Sequence, residues 1–493
     1  MLAWTVYLSF LGLLAVLLVP AGNARAARGI ALATALAGFF AALLGTFQFA
    51  PDKGVQTLVR IPWIPGLGIQ CFLAADGISV TLVLLTGLAA VAGILFSWNI
   101  EHRVKEFFAF YLALIAGVYG VFLSFDLVQL FVFYELAIIP KYFLVAIWGS
   151  TNREYGAMKL ALYSFIGSAL VLIGLVAAYV ASGMKTMDLL ELAHYPFPAA
   201  LQYWAFPVVF IGFAILAGLW PFHTWAPTGH VAAPTAASML LAGVVMKLGA
   251  YGALRVAMTL FPVGLSVWRD AIGLLAVIGI VYGALVALVQ QDFKFVIGYS
   301  SVSHMGFVLL GLLTLNTVGL SGAVLQMFSH GVIAGLLFGV VGRMVYDRTH
   351  TRDLVELEGW HLRRLLPFAA GTFVIAALAS MGLPGFSGFA AEFQVLAGAW
   401  TAFPTYALLA GIGIVVGVAY TLRVLQKSFF GESEATAEAA HPLPPITLPE
   451  RIGAGLLIGA TLLIGLCPRL LLDLIGPSFQ SSLFEQVVKG GKL

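Results

Sequence analysis

The chain has 493 residues; 61% of them are hydrophobic, only 10% are charged, and the formal net charge is +3. A chain with so few polar residues cannot cover the surface of a soluble globule of this size. The composition therefore excludes a soluble enzyme and predicts a protein whose main solvent is the lipid bilayer. A net charge this small gives no sign of a nucleic-acid partner, and none is expected.

Apolar stretches of about 20 residues, the length of a membrane-crossing helix, recur along nearly the whole sequence. They predict an all-α integral membrane protein of about 14 transmembrane helices, with residues 1–493 forming a single polytopic membrane domain. The first stretch is read as helix 1 rather than a secretory signal, because Arg25 and Arg28 follow it instead of preceding it. In chain order, the predicted helices are 2–20, 29–49, 78–98, 107–124, 127–148, 155–180, 204–222, 236–258, 269–289, 295–314, 319–345, 367–400, 405–429 and 452–472.

Most basic loop residues follow odd-numbered predicted helices, as Arg28, Arg103 and Arg153 do. Basic loops favour the cytoplasm, so these loops are expected there and both termini on the opposite side of the cell (inner) membrane. Lys489 and Lys492, close to the C-terminus, do not fit this assignment.

Two predicted helices are interrupted by proline and glycine. Pro221 and Pro234 break the segment after helix 7, and Pro384 lies at the middle of 367–400, a span too long for one crossing. Discontinuous helices at matching places in two halves are typical of transporter repeats. We therefore predict two inverted repeats, roughly 107–258 and 269–429, with helices 7 and 12 discontinuous.

Three ionisable residues lie where the predicted helices cross the middle of the membrane: Glu135, Lys247 and Glu392. A charge at that depth costs at least about 2.5 kcal/mol, so it needs a partner, water or neutralisation. For Glu135 the alternatives to proton handling are a structural ion pair and a permanently protonated acid. For Lys247 the alternative is a side chain that reaches toward the interface. Three such residues together favour proton transfer.

Further polar residues lie on the same predicted helices. Lys159 is explained equally well by function and by contact with the cytoplasmic interface, whereas Lys294 is expected chiefly as an interface anchor. His304 follows Ser300 by one turn on helix 10, and His330 follows Gln326 by one turn on helix 11. Imidazole can pass protons between its two nitrogens, so both histidines are candidate relays, although a lone buried histidine is usually only a hydrogen-bonded core residue.

The sequence offers no site for a cofactor. Cys71 and Cys467 stand alone, without further ligands at the spacing of a zinc or iron–sulfur site. Gly411, Gly413 and Gly417 lie in an apolar helix, where small residues serve close packing more often than nucleotide binding. No cofactor is therefore expected in this chain.

Several short segments together are specific enough to indicate a family. They are 130–135 (LFVFYE) with Ile139-Pro140 and Trp148-Gly149, 221–225 (PFHTW), 233–235 (APT) leading to 247–249 (KLG), 300–306 (SSVSHMG), and 383–385 (LPG) leading to Glu392-Phe393. With them the chain resembles, over nearly its full length, the antiporter-like subunit M (chain 4) family of proton-pumping NADH:quinone oxidoreductase, respiratory complex I.

This resemblance implies a central hydrophilic axis made of a glutamate on helix 5, a lysine on helix 7, a lysine on helix 8 and a charged residue on helix 12. Glu135, Lys247 and Glu392 match three of these places. It also implies that NADH, FMN, the iron–sulfur clusters and quinone belong to partner subunits. The implied partners are the L- and N-type antiporter-like membrane subunits, the lipid bilayer and the transported protons.

The helix-7 place departs from the family pattern, because Leu216 stands where the lysine is expected, and Thr228 and Ala232 replace acidic residues nearby. An ionised Glu135 then needs another cation, and Lys141 and Lys159 are the candidates. Lys141 is six residues along the same helix, about 120° around its axis, so no direct bond is expected.

The leading hypothesis is a complex I membrane-arm subunit in which Glu135 receives the proton, Lys247 and His304 relay it, and Glu392 releases it. Three alternatives stay open: a subunit of a multisubunit cation/proton antiporter, a ferredoxin- or hydrogenase-linked relative, and a structural spacer that no longer pumps. The loss of charge around Leu216 favours the spacer, whereas Lys247 and Glu392 argue against the antiporter.

Overall fold

The structure, a computed structural model, describes residues 1–431 and 443–490. Almost all of these residues are helical. The main helices are α1 (Ala3–Leu18), α2 (Ala24–Gln48), α3 (Gly77–Phe96), α4 (Val104–Leu123), α5 (Leu127–Trp148), α6 (Arg153–Ser182), α7a (Ala199–Ala217), α7b (Trp225–Ala232), α8 (Thr235–Leu260), α9 (Pro262–Val289), α10 (Phe293–Leu313), α11 (Thr317–Thr349), α12a (Pro367–Ser380), α12b (Ser387–Ala402), α13 (Pro404–Phe429) and α14 (Leu448–Leu466).

Twelve helical segments in the described ranges are long and apolar enough to cross a membrane, with α7a and α7b counted as one. Helices α1 and α12a are apolar but shorter. The prediction of an all-α, multi-pass membrane protein is therefore confirmed, whereas the count of fourteen crossings stays a prediction. Short peripheral helices lie at Leu189–Ala193, Leu354–Glu358, Leu362–Leu365, Arg469–Ser478 and Glu485–Val488. The last predicted helix, 452–472, is in fact α14 followed by a separate helix after Pro468.

A β-hairpin that the hydrophobic pattern did not predict lies between α2 and α3. Its antiparallel strands are β1 (Gln56–Ile64) and β2 (Ile69–Ala75). The hairpin contacts the N-terminus of α5, where Asp126 Oδ2 accepts from Gln70 N at 2.9 Å and Gln129 Oε1 accepts from Phe72 N at 2.8 Å. Asp126 also accepts from two backbone N–H groups of α5 through Oδ1, so one carboxylate caps the helix and holds the hairpin.

The two predicted helix breaks are both present. Helix α7a ends at Gly218, whose φ of 84° is readily adopted only by glycine, and Trp225 Nε1 donates to the freed carbonyl of Ile215 at 2.8 Å. The break in helix 12 contains Gly382 and Gly385 with φ of 70° and 99°. Each interrupted helix is the fourth in its group of five, α4–α8 and α9–α13. This arrangement fits the predicted inverted repeats, whose existence stays a prediction.

Helices α8 and α11 are continuous but contain π-helical turns. In α8 these turns are Leu241–Val245 and Ala253–Ala257, and in α11 the turn is Gly339–Tyr346. A π-turn widens the helix locally and leaves backbone carbonyls without their usual partners, and such turns are frequent at functional sites. Lys247 lies between the two π-turns of α8.

Loops that follow odd-numbered helices meet on one side of the molecule. Arg28, at the start of α2, donates to Ile100 O after α3 at 2.6 Å. Arg352, after α11, lies 3.2 Å from Asp292, after α9. A cavity of about 350 Å³ lies among the loop after α3, the loop after α5 and the end of α11. These loops therefore share one face, as the distribution of basic residues predicted.

One fully buried ion pair escaped the sequence analysis. Arg255 near the end of α8 is 0% exposed and donates to Asp76 Oδ1 at 2.7 Å. Its guanidinium lies against the rings of Phe125, Tyr251 and Phe484, 4.9–5.4 Å from their centroids. Asp76 caps the N-terminus of α3. The pair therefore joins α3, α8 and the C-terminal segment, and it is a structural use of buried charge.

Candidate functional site

Lys247 forms the first link of a buried polar chain between α8 and α11. It is 0% exposed, and its Nζ donates to His330 Nδ1 at 2.7 Å. Nζ also donates to Ala242 O, a carbonyl within the first π-turn of α8. The widened helix thus supplies an acceptor for a lysine that cannot reach water.

Glu392 on α12b forms the last link. Its Oε1 accepts from His304 Nδ1 of α10 at 2.9 Å and from Gln326 Nε2 of α11 at 3.2 Å. His304 Nε2 lies 3.3 Å from Ser380 Oγ, at the end of α12a. The break between α12a and α12b therefore brings both half-helices to one imidazole.

The two histidines connect these links. The ring centroids of His304 and His330 are 5.5 Å apart. Both rings line a cavity of about 10 Å³, together with Glu392, Ser380 and Gln326. That volume is about what one water molecule requires, and the lining offers polar partners. Lys247, His330, His304 and Glu392 thus form a series across four helices, here named the Lys247–Glu392 chain.

A side branch approaches Lys247 from the face with the odd-numbered loops. Lys294 Nζ donates at 3.0 Å to Ala233 O, where α7b ends, and lines the 350 Å³ cavity. Lys294 is only 2% exposed, so its side chain is buried beside this cavity, and its expected role as an interface anchor stays a prediction. His230 is 0% exposed, and both Lys294 and Lys247 act on it electrostatically. The sequence did not single out His230 as a site residue, and the available signal was a histidine four residues before Pro234, within a helix break.

Glu135 and Lys141 occupy the other half of the protein, on α5. Glu135 is partly exposed, and its buried Oε1 has no hydrogen-bond partner among the described residues. Lys141 is 1% exposed and donates to Ser164 Oγ of α6 at 2.9 Å. Glu135 and Lys141 form no ion pair within 4.0 Å in this arrangement, as the helical geometry predicted.

Lys159 is directed elsewhere. Its Nζ donates to Thr228 Oγ1 of α7b at a long 3.4 Å and lies 5.7 Å from the centre of the Tyr155 ring. One turn along α6, Tyr163 is hydrogen-bonded to Thr224 at 3.0 Å. The structure therefore connects Lys159 with α7b and does not bring it to Glu135.

The family model described as "NADH:quinone oxidoreductase/Mrp antiporter, TM" matches residues 124–417, more than half of the chain. NADH-quinone oxidoreductase subunit M of Rhodobacter capsulatus is 39% identical over 473 residues, which are 93% of this chain and 90% of that protein. The chain belongs to this family. The polar residues above are therefore those of a member of the NADH:quinone oxidoreductase/Mrp antiporter family.

Solved structures agree with the family assignment. A chain of respiratory complex I from Thermus thermophilus with bound NADH superposes with a TM-score of 0.87 at 29% identity, covering 98% of this chain and 100% of that one. A chain of the Mrp complex from Dietzia sp. DQ12-45-1b reaches 0.84 at 22% identity, covering 99% of each chain. At that identity the second likeness shows the fold alone. Both branches of the family therefore share this architecture.

The site of this family member is divided in a way that the sequence did not foresee. Of the eight predicted residues, four form the Lys247–Glu392 chain, Lys294 lies on its side branch, and three remain apart: Glu135, Lys141 and Lys159. Leu216 is 2% exposed on α7a, and Gly249 of α8 approaches its backbone so closely that an added Cβ would lie 3.0 Å from Leu216 C. Within the described ranges, no group of three or more His, Cys, Asp or Glu could hold a metal ion.

Proposed function

We propose that this chain is a membrane-arm subunit of a proton-pumping NADH:quinone oxidoreductase, and that protons cross it through the Lys247–Glu392 chain. The observation that carries the proposal is the contact series itself. Lys247 touches His330, and His304 touches Glu392, with the two imidazoles adjacent. A buried ionisable group at membrane depth is a functional-site hypothesis by default, and here four are in series.

The chemistry of the four groups suits stepwise transfer. Lys247 donates to His330 Nδ1, so a neutral His330 carries its proton on Nε2, and this nitrogen has no protein partner among the described residues. As Nδ1 of His330 takes a proton from the Lys247 ammonium, Nε2 would release its own proton to a water in the 10 Å³ cavity, and that water would protonate Nε2 of His304. His304 Nδ1 then donates to Glu392, and Lys247 is left neutral until it is protonated again. No side chain needs to move far.

The assembly around this chain follows from its relatives. Rhodobacter capsulatus subunit M is named as part of NADH-quinone oxidoreductase, and the Thermus chain is part of complex I with bound NADH. In the proposed function, NADH, FMN, iron–sulfur clusters and quinone are bound by partner subunits, among them L- and N-type antiporter-like neighbours in the membrane. The chain is then a non-redox subunit of a translocase in the cell (inner) membrane, with the odd-numbered loops in the cytoplasm.

A specific observation favours one second candidate, a subunit that assembles but no longer pumps. Leu216 removes the lysine expected on helix 7, and Glu135 Oε1 is left without a hydrogen-bond partner in the described part of the chain. If Glu135 were inactive, the Lys247–Glu392 chain would lack a proton source on that side. The complex would then move fewer protons for each NADH.

The test uses the assembled complex in membrane vesicles, with protons pumped per NADH oxidised as the measurement. Glu392→Gln keeps the side chain's size but removes its charge, and we expect a lower proton-to-NADH ratio. Glu135→Gln should lower it as well. The matched control is Glu485→Gln, at an exposed C-terminal position that pairs with Lys489. Unchanged stoichiometry and rate in both test variants would contradict proton conduction, and an unchanged ratio for Glu135→Gln alone would favour the non-pumping candidate for that half. Sodium-dependent proton exchange without NADH or quinone would indicate an antiporter instead.

A further inference from the structure

Lys141 is a buried cation without an acidic partner in contact. Its side chain is 1% exposed, and its ammonium donates to the neutral hydroxyl of Ser164. Arg255 of α8, which is 0% exposed, is by contrast bonded directly to Asp76 at 2.7 Å. Burying an ammonium against a hydroxyl alone is costly, so Lys141 needs a nearby carboxylate or must give up its proton.

Glu135 is the carboxylate that the backbone places in reach. Lys141 contacts Ser164, and Ser168 faces Glu135, so the two ionisable groups meet adjacent turns on one face of α6. Helical side chains lean toward the N-terminus of their own helix, which carries the long lysine from position 141 toward position 135. The two residues are about 9 Å apart along the axis, a distance that four methylenes largely cover.

Among the described residues, the charged side chains of the neighbouring helices have other partners, as Lys247 and Arg255 of α8 do in His330 and Asp76. Lys159 of α6 is bonded to Thr228. Helix α7a contains no acidic or basic residue, and its backbone at Phe213, Leu216 and Ala217 packs closely against Gly249 of α8. Helix α4 carries Lys105 and Glu106 only in its first turn. Glu135 and Lys141 are the charged groups that act on one another.

We propose that Lys141 is a proton-carrying partner of Glu135, moving between Ser164, where the structure shows it, and Glu135. When Lys141 reaches Glu135, one proton passes from the ammonium to the carboxylate and leaves a neutral amine and a neutral acid. When Glu135 loses that proton to the rest of the path, Lys141 takes up another and returns to Ser164. This role rests on the proposed function, and it supplies the cation that α7a lacks.

The decisive variant is Lys141→Arg in the assembled complex. Arginine keeps the buried positive charge and can bond Ser164, but it does not release its proton in proteins. A purely structural cation would therefore tolerate the change, whereas a proton carrier would not. We expect the complex to assemble normally. Proton transfer through this half should be slowed at least about 100-fold, which is the usual effect of removing an acid–base group. Native pumping by Lys141→Arg would overturn the proposal.

A spectroscopic measurement separates this role from packing. The infrared C=O band of protonated Glu135 is assigned by its loss in Glu135→Gln. Lys141→Met removes the cation at similar side-chain length, so it should shift that band and its pH dependence, while a band at the native position would count against the pair. Ser164→Ala keeps the lysine but removes its resting contact, and it should shift the same band with normal assembly. Should Lys141→Arg assemble poorly, Ser164→Ala decides: an unchanged band and unchanged pumping overturn the proposal.

The outcomes also distinguish this inference from the proposed function. If Glu135→Gln and Glu392→Gln lower pumping but Lys141→Arg does not, only the Lys141 role fails. If none of the three changes pumping, proton conduction itself fails. If Lys141→Arg and Glu135→Gln slow pumping equally and their combination is no slower, both stand, because residues that act as one unit are not additive.

Discussion

The two halves of the protein hold their buried charges differently. Lys247, at the end of the first half, is joined to His330, His304 and Glu392 of the second half by contacts of 2.7 and 2.9 Å around a cavity the size of one water. In the first half, Lys141 touches only a hydroxyl, and Glu135 Oε1 touches no hydrogen-bonding group of the described chain. Lys247, His330, His304 and Glu392 therefore form a linked series, whereas Glu135 and Lys141 are not in contact with one another.

This difference separates two ways of conducting a proton. Imidazole accepts at one nitrogen and donates at the other, so a chain that contains two histidines transfers a proton with little movement. A lysine and a glutamate exchange a proton when they are in direct contact or share a bridging water, and in the first half we propose that Lys141 moves to reach that contact. The position of a mobile side chain such as Lys141 can be controlled by changes in nearby charge. Proton transfer along the Lys247–Glu392 chain, whose groups stay in place, responds mainly to changes at its two ends.

The largest effect is expected from breaking the connected half at its centre. His330→Leu removes the residue between Lys247 and His304 and should slow proton transfer at least about 100-fold. The measurement is the pumping rate of the complex in vesicles, with NADH oxidation followed in parallel. His194→Leu, at an exposed position outside the Lys247–Glu392 chain, is the control. Rapid pumping by His330→Leu would show that protons do not cross the protein through the Lys247–Glu392 chain.

A structural charge should respond in stability rather than in pumping. Asp76→Asn keeps an acceptor for the α3 cap but leaves Arg255 buried without its counter-charge, which typically costs about 3–5 kcal/mol. We expect a lower temperature of thermal inactivation and less assembled complex. Asp76→Asn with Arg255→Met removes both charges and should restore part of the loss. A double variant as unstable as the single one would show that the pairing is not what Asp76 contributes.

A smaller effect is expected from moving the cation of the first half. Lys141→Met with Leu216→Lys places a lysine on α7a, where the family resemblance expects one. We expect several-fold faster pumping than in Lys141→Met alone, because Glu135 regains a cation. Leu216→Lys alone is the control for damage to the close α7a–α8 packing. No recovery in the double variant, with Leu216→Lys itself active, would mean that position 216 does not face Glu135.

The smallest effect concerns the support of Glu392. Gln326→Leu removes one of its two donors but leaves His304 in contact at 2.9 Å. A hydrogen bond to a carboxylate contributes about 1.5–3 kcal/mol, but only the part of that energy that differs between the resting state and the transfer step changes the rate, so a several-fold decrease in pumping is expected rather than its loss. Gln480→Leu, at an exposed position, is the control. An effect as large as that of Glu392→Gln would mean that Gln326 itself lies on the path.

The helices and their breaks could be predicted because they depend on local properties. Long apolar stretches form helices in a bilayer, and Pro221 and Pro384 interrupt them wherever they pack. The β1–β2 hairpin was missed, because its strands are shorter than a membrane-crossing stretch and its place is fixed by Asp126 and Gln129 of a later segment. The Asp76–Arg255 pair was missed for the same reason: its partners are 179 residues apart.

The sequence by itself determined that this is a membrane protein with ionisable residues at bilayer depth, and it supplied the motifs of the family. Only the tertiary structure decided which of those residues meet. Lys247 and His330 are 83 residues apart and His304 and Glu392 are 88 apart, so helix packing alone brings them into contact. Spacing along a single helix predicted that Glu135 and Lys141 would not touch, whereas the contact of Lys141 with Ser164 depended on where α6 lies. The sequence places each ionisable residue along its helix, and the tertiary structure decides which partner offsets the free-energy cost of burying its charge.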